Sequence, residues 1–99
     1  FKISAQELAS MIKKHENFVL IDVREPEEFA EVSIPGAHLV PLGQLDSSDF
    51  VKTLDKNSHI VVMCRSGSRS RYAQQLLVDM GFTKVFNLSG GILAWNTLK

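Results

Sequence analysis

Ninety-nine residues suffice for one small core and not for two, since a domain typically needs about 100 residues. Eleven Lys and Arg cancel eleven Asp and Glu, which leaves no long-range field to draw the chain onto nucleic acid or an anionic membrane. Hydrophobic residues at 44% and charged residues at 22% exclude a disordered chain, and no apolar run approaches the roughly 20 residues of a membrane helix.

In chain order, the first predicted element is a helix. Ser4 and Glu7 form a capping-box pair, and Ala5, Leu8, Ala9 and Ile12 then recur as one apolar stripe. His15 falls near its end. Val19–Val23 reads as a short buried strand, and Pro26 among Glu25, Glu27 and Glu28 opens a short helix to about Ala30. Ile34-Pro35-Gly36-Ala37 is a turn feeding a strand at 37–40, closed by Pro41. Ser48-Asp49 starts a helix to about Leu54, and 55–58 is turn chemistry. His59–Cys64 carries the strongest strand signal, with Ile60-Val61-Val62-Met63 uninterrupted by polarity. A polar loop follows, and then a helix marked by Tyr72, Ala73, Leu76, Leu77 and Met80 that Gly81 ends. Lys84–Leu88 is a further strand, and Gly90-Gly91 precedes a short helix carrying Trp95.

Strand and helix thus alternate, which predicts an α/β fold over 1–99 as a single domain: a central, mostly parallel sheet of about five short strands with helices on both faces. The strand order is not readable. Phe1 in place of an initiating Met fits either an excised module or a processed chain, and on the first reading a fused domain outside this segment is an expectation. A lone cysteine forbids an internal disulfide and suits a reducing, cytoplasmic compartment.

In open α/β sheets, sites gather at the carboxyl ends of strands. Cys64 stands at such an end, and Arg65-Ser66-Gly67-Ser68-Arg69 leads into the next helix. Small residues let a loop curl so that its N–H groups converge into an anion nest, to which the helix start adds unpaired amides. Arg65 and Arg69 add permanent charge. A free thiol with pKa near 8.5 is only a few per cent ionised at neutrality, and a cationic helix start lowers that pKa by roughly one to several units. Cys64 is therefore expected to be a nucleophile toward electrophilic sulfur, carrying a covalent persulfide held by the same amides. An unpaired cysteine after an apolar run is more often a small core residue. Two arginines and two serines around a glycine reverse that reading, because they are a poor way to finish an inert strand.

Cys64-Arg65-Ser66-Gly67-Ser68-Arg69 resembles the active-site loop of the rhodanese (sulfurtransferase) domain. Three further blocks are similar to the family's others in order: Asp22-Val23-Arg24-Glu25 with Glu28-Phe29, Ile34-Pro35-Gly36-Ala37, and Gly90-Gly91 with Ala94-Trp95. The resemblance spans essentially the whole chain. It implies that Cys64 takes a sulfane sulfur from thiosulfate or a protein persulfide and passes it to a thiophilic acceptor such as cyanide or a protein thiol. It also implies that the amides from Arg65 to Arg69 cradle the sulfur and that Arg65 and Arg69 bind an anionic donor. Related phosphatases and arsenate reductases use a loop one residue longer, Cys-x5-Arg, and the position that would complete it here is Ser70. A phosphatase is disfavoured accordingly. The alternative from another class is a non-catalytic binding or regulatory module. Val32-Ser33 stands where many relatives have Gly-His, a change that bears on packing and the rim. The spacing to Pro41-Leu42 resembles modules attached to adenylyltransferases of cofactor biosynthesis.

Other residues carry plainer readings beside functional ones. Asp22 is read either as an acceptor that holds the loop or as half of a salt bridge, and Arg24 as a salt-bridge partner before a source of potential at the mouth. Ser66, Ser68 and Ser70 offer hydroxyls to bound sulfur, although capping is the commoner use of a serine at position 70. Arg71 is expected in solvent. The glutamates at 25, 27, 28 and 31 are assigned to the helix dipole. His15, His38 and His59 show no metal spacing, so neither metal nor cofactor is expected. Trp95, Phe82, Phe86 and Phe29 are assigned to the core, and Gly90-Gly91 to close backbone approach.

Overall fold

A computed structural model describes residues 1–98. Its five strands are β1 (Lys2–Ile3), β2 (Val19–Asp22), β3 (His38–Leu39), β4 (His59–Met63) and β5 (Lys84–Leu88). They form one sheet in the order β1-β5-β4-β2-β3. Every pairing is parallel. The helices are α1 (Ala5–Lys13), α2 (Pro26–Glu31), α3 (Asp49–Lys52), α4 (Ser68–Asp79) and α5 (Gly91–Trp95), with a 3-10 turn at Leu42–Gln44.

β4 lies at the centre, and the two-residue period of a strand sorts its apolar run between the faces. Ile60, Val62 and Cys64 pack with Ala73 and Leu77 of α4, Val51 of α3 and Phe82. Val61 and Met63 point the other way, into a layer with Leu8 and Met11 of α1 and Ile92 of α5. Burying each such side chain stabilises by about 1.5–3 kcal/mol, so a strand covered on both sides is the natural use of an unbroken apolar stretch. Phe82 is buried, Phe86 and Trp95 pack against the second layer, and Phe29 instead lines a cleft beside β3.

The capping box of α1 is present: Ser4 Oγ accepts from Glu7 N–H at 3.0 Å, and Glu7 Oε1 accepts from Ser4 N–H at 3.1 Å. His15 falls two residues beyond α1, with a left-handed φ of 53°. Two departures from the sequence reading matter for the site. β1 was not foreseen, since a two-residue edge strand has too little pattern to register; it extends β5 by pairing Lys2 with Asn87 and Ile3 with Leu88. α4 begins at Ser68, inside the stretch read as loop, because Gly67 takes a φ of +117° and serves as its N-cap.

From β2 the chain runs outward to β3, and from β4 it runs the opposite way to β5, with β2 and β4 side by side. The connections therefore diverge above the carboxyl ends of these two strands, and such a divergence opens a crevice. Cys64 follows β4 there, and Asp22 ends β2 opposite Met63.

Candidate active site

Cys64 is buried at the floor of the curled segment, with no residual exposure. The loop amides face it: Gly67 N–H donates to Sγ at 3.1 Å. Ser70, one turn into α4, brings Oγ to 3.4 Å from the same sulfur. Burial pushes the thiol pKa up. Hydrogen bonds from the Ser70 hydroxyl and from the N–H groups of Ser70, Gly67 and Ser66 outweigh it, and the net displacement is downward. The first-turn amides of α4 are thus spent on the sulfur, as a helix start permits.

Ser70 does not cap α4, whose N-cap is Gly67. It is buried, and besides the sulfur its Oγ lies 2.6 Å from Asn87 Oδ1 and 3.2 Å from the Gly67 carbonyl. Asn87 also donates through Nδ2 to the Gly67 carbonyl at 3.2 Å. Sequence reasoning missed Asn87. Its signal was an amide in the apolar strand Val85-Phe86-Asn87-Leu88, a residue type that needs partners when buried.

The loop is anchored from below by α5. Ile92 N–H donates to the Cys64 carbonyl at 2.9 Å and Leu93 N–H to the Arg65 carbonyl at 3.2 Å. Gly91 permits this approach: a Cβ there would collide with the carbonyl oxygens of Cys64 and Arg65. Gly90-Gly91 therefore brings backbone to backbone directly under the cysteine.

The cationic residues divide. Arg65 is exposed on the loop, and Arg71 is exposed on α4. Arg69 is engaged by Glu28 of α2 in a two-pronged pair at 2.7 and 2.9 Å. The Arg69 guanidinium holds the Glu28 carboxyl at about 2, well below the usual carboxylate range. Glu28 also accepts from Glu25 N–H at 3.0 Å in the capping box of α2, so the dipole assignment described only part of its work. Glu28 thereby returns negative charge to a loop read as purely cationic.

Asp22 and Arg24 form a buried pair with a closest contact of 2.7 Å. Asp22 accepts from the backbone N–H, Nε and Nη2 of Arg24, and Arg24 Nη2 also donates to the Val32 carbonyl at 2.7 Å. Neither side chain hydrogen-bonds the loop; the pair ties the end of β2 to the end of α2. The exposed Ser66 and Ser68 stand on the rim. With Gly67, Lys2, Arg71 and Asn87 they line a cleft of about 550 Å³ beside the cradle. A roomier cleft of about 690 Å³ lies along β3 and α3, away from the cysteine.

Among the described residues, no group of His, Cys, Asp and Glu could hold a metal ion, and no helix is long and apolar enough to cross a membrane. The chemistry that the arrangement permits is nucleophilic: a sulfur with donors aimed at its negative form.

The chain is 43% identical over 94 residues to the Bacillus subtilis protein named "Putative sulfurtransferase YtwF", covering 95% of this chain and 88% of that one. It is 34% identical over 95 residues to the thiosulfate sulfurtransferase GlpE of Pseudomonas putida, covering 96% and 84%. The structure resembles the human single-domain sulfurtransferase TSTD1 with a TM-score of 0.88 at 27% identity, over 99% of this chain and 96% of that one. The model of the rhodanese-like domain matches residues 4–98. With that match, the order of the strands and a cysteine cradled at the end of the central one, the chain belongs to the rhodanese-like domain family.

Proposed function

We propose that this chain is a sulfurtransferase that carries a sulfane sulfur on Cys64. The observation that carries the reading is the Gly67 N–H donated to Sγ at 3.1 Å, with the Ser70 hydroxyl 3.4 Å from the same sulfur. A buried sulfur surrounded by donors is stabilised as an anion, and the thiolate is the nucleophilic form.

The Cys64 thiolate attacks the outer sulfur of thiosulfate, the sulfur–sulfur bond of the donor breaks, and sulfite leaves with the bonding electron pair. The cysteine then bears an anionic terminal sulfur. A nucleophilic acceptor, cyanide or a thiolate, attacks that terminal sulfur and restores the Cys64 thiolate. Both steps are substitutions at sulfur, and atoms and charge balance without a cofactor. A protein persulfide enters the same scheme as donor, with its thiolate as leaving group. In this reading the amides from Arg65 to Arg69 hold the transferred sulfur, Ser66 and Ser68 form the rim, and Arg65 meets an anionic donor. Arg69 contributes less than its charge alone would give, because Glu28 already neutralises it. Asp22 and Arg24 support the floor at one remove. Since Cys64 is fully covered, the loop must yield to admit the donor.

The sulfurtransferase names of the relatives favour this reading, and a lone cysteine that works as a free thiol fits a reducing, cytoplasmic compartment. An oxyanion-hydrolysing reading loses to it: the loop is one residue short, and Arg69, the guanidinium nearest the role of an oxyanion clamp, is paired with Glu28. Weighing the intact protein after thiosulfate treatment tests the proposal. A gain of one sulfur, removed by cyanide and absent in Cys64→Ser, is the expected result. No gain in mass would overturn it in favour of a non-catalytic binding module.

A further inference from the structure

Ser70 has one hydroxyl proton and three acceptors around it. Asn87 Oδ1 lies at 2.6 Å, the Gly67 carbonyl at 3.2 Å and Cys64 Sγ at 3.4 Å. The orientation of the Asn87 amide is fixed independently, because its Nδ2 donates to the Gly67 carbonyl at 3.2 Å. A carbonyl oxygen can only accept, so the short contact requires Ser70 to give its proton to Asn87. In that arrangement Ser70 has only lone pairs left for the sulfur, and those suit a protonated thiol, whose S–H can donate to Oγ. Supporting a thiolate requires the hydroxyl to turn toward Sγ and leave Asn87 Oδ1 short of its donor in a buried place. Ser70 and Cys64 have no exposure and Asn87 has 8%, so water is a poor substitute.

We propose that Asn87 is a positioning residue that sets the ionisation of Cys64 by competing with the sulfur for the Ser70 proton. The proposal rests on Cys64 being the sulfur-carrying residue, but it concerns the ionisation of the free thiol and holds whatever the donor. Asn87 restrains the thiolate, which the loop amides alone then support until the hydroxyl turns. A transferred sulfur, being anionic, draws the same rotation, so occupancy of the cysteine is felt on β5 through a single hydroxyl.

The charged groups around Cys64 are the same in every variant that tests this except Asn87→Asp, which adds one carboxylate. They are Arg65 on the loop, Arg69 on α4 with its partner Glu28 on α2, and the Asp22–Arg24 pair at the end of β2. α5 carries no charged side chain, and the only charge on β5, Lys84, lies at its far end.

The experiment is the pH profile of iodoacetamide alkylation of Cys64, read without any sulfur donor, so it can fail while sulfur transfer stands and can succeed if transfer fails. In Asn87→Leu, which keeps the branched shape and removes the competing acceptor, the midpoint falls by about one unit, the tenfold change that one hydrogen bond to an anion gives. In Asn87→Asp, where a charged acceptor claims the proton more strongly, the midpoint rises. In a Ser70→Ala background the shift caused by Asn87→Leu disappears. The carboxylate of Asn87→Asp also repels the thiolate directly, so the rise in that variant counts only in the part that Ser70→Ala removes. An unchanged or raised midpoint in Asn87→Leu, or the same shift with and without Ser70, would overturn the proposal. Should Asn87→Leu fail to fold, Asn87→Asp with and without Ser70 decides: its shift must shrink when the hydroxyl is absent, and an equal shift contradicts the competition.

Discussion

Gly67 adopts a φ of +117° and, from that conformation, aims its N–H at the Cys64 sulfur. Open space lies where a Cβ would go, with the nearest atoms 3.9 Å away, so substitution acts through the backbone alone. Gly67→Ala is expected to cost about 1–3 kcal/mol of stability and to raise the alkylation midpoint of Cys64, because the strained residue relaxes by turning its N–H off the sulfur. Chemical denaturation and the alkylation profile check the two effects separately. Cys64 itself ties stability to pH. Its folded pKa lies below the unfolded one, so the thiol adds stability above the unfolded pKa of about 8.5, and this is lost as pH falls through the folded value. Cys64→Ser removes that dependence. At this scale the sequence disclosed the cysteine and the curled loop around it, because the residues are contiguous. It could not disclose Asn87, whose partners Gly67 and Ser70 lie 20 and 17 positions away and meet it only once β5 has docked beside β4.

α5 and α2 both close on the loop, and each connection has its own prediction. α5 supports the cysteine from below through Gly91, and Gly91→Ala sets a methyl group against two carbonyl oxygens of the active segment. Unfolding midpoints should fall by an amount equivalent to about 1–3 kcal/mol, with loss of sulfur uptake even where the chain still folds. A variant as stable and as active as the parent would contradict the close approach. α2 reaches the loop through Glu28, whose folded pKa of about 2 lies below the unfolded value of about 4.3. The pair therefore contributes fully above about pH 4.3 and loses that contribution as pH falls toward about 2. Glu28→Gln should lower stability at neutral pH and match the parent once the acid limit is reached. The difference should stay under about 1 kcal/mol, since both side chains are about one-third exposed and solvent screens them. Denaturation across pH 2–7 measures it. The sequence supplied the local parts of these elements: the capping box at Ser4, the apolar run of β4 and the Pro at the start of α2. Glu28 was legible as a helix-start carboxylate and nothing more, because its partner Arg69 lies 41 residues away. The same distance problem hid β1, whose two residues acquire meaning only beside Asn87 and Leu88.

Over the whole molecule the positive and negative charges balance, and at the site Glu28 matches Arg69, which leaves Arg65 as the loop's unmatched charge among the described residues. Association with thiosulfate should accordingly depend weakly on ionic strength. Initial rates at low and high salt should differ by far less than the tenfold or more that electrostatic steering produces. A steep loss of rate with salt would mean that the exposed arginines act as a funnel. The alternation of strand and helix was enough to foresee the class of fold, and the buried run at 60–63 was enough to foresee a strand there, which the structure places at the centre of the sheet. The order β1-β5-β4-β2-β3 was not legible, since parallel pairing leaves no turn between neighbours from which to read adjacency. That order opens the crevice between β2 and β4.

The account turns on the cradle keeping a covered sulfur ionised. Alkylation of Cys64 across pH, in the folded chain and in the same chain unfolded by urea, measures this most directly. A lower midpoint in the folded protein is the predicted result. A folded midpoint equal to or above the unfolded one would mean that burial outweighs the donors of the loop, and the proposed sulfur carrier would have no activated thiolate.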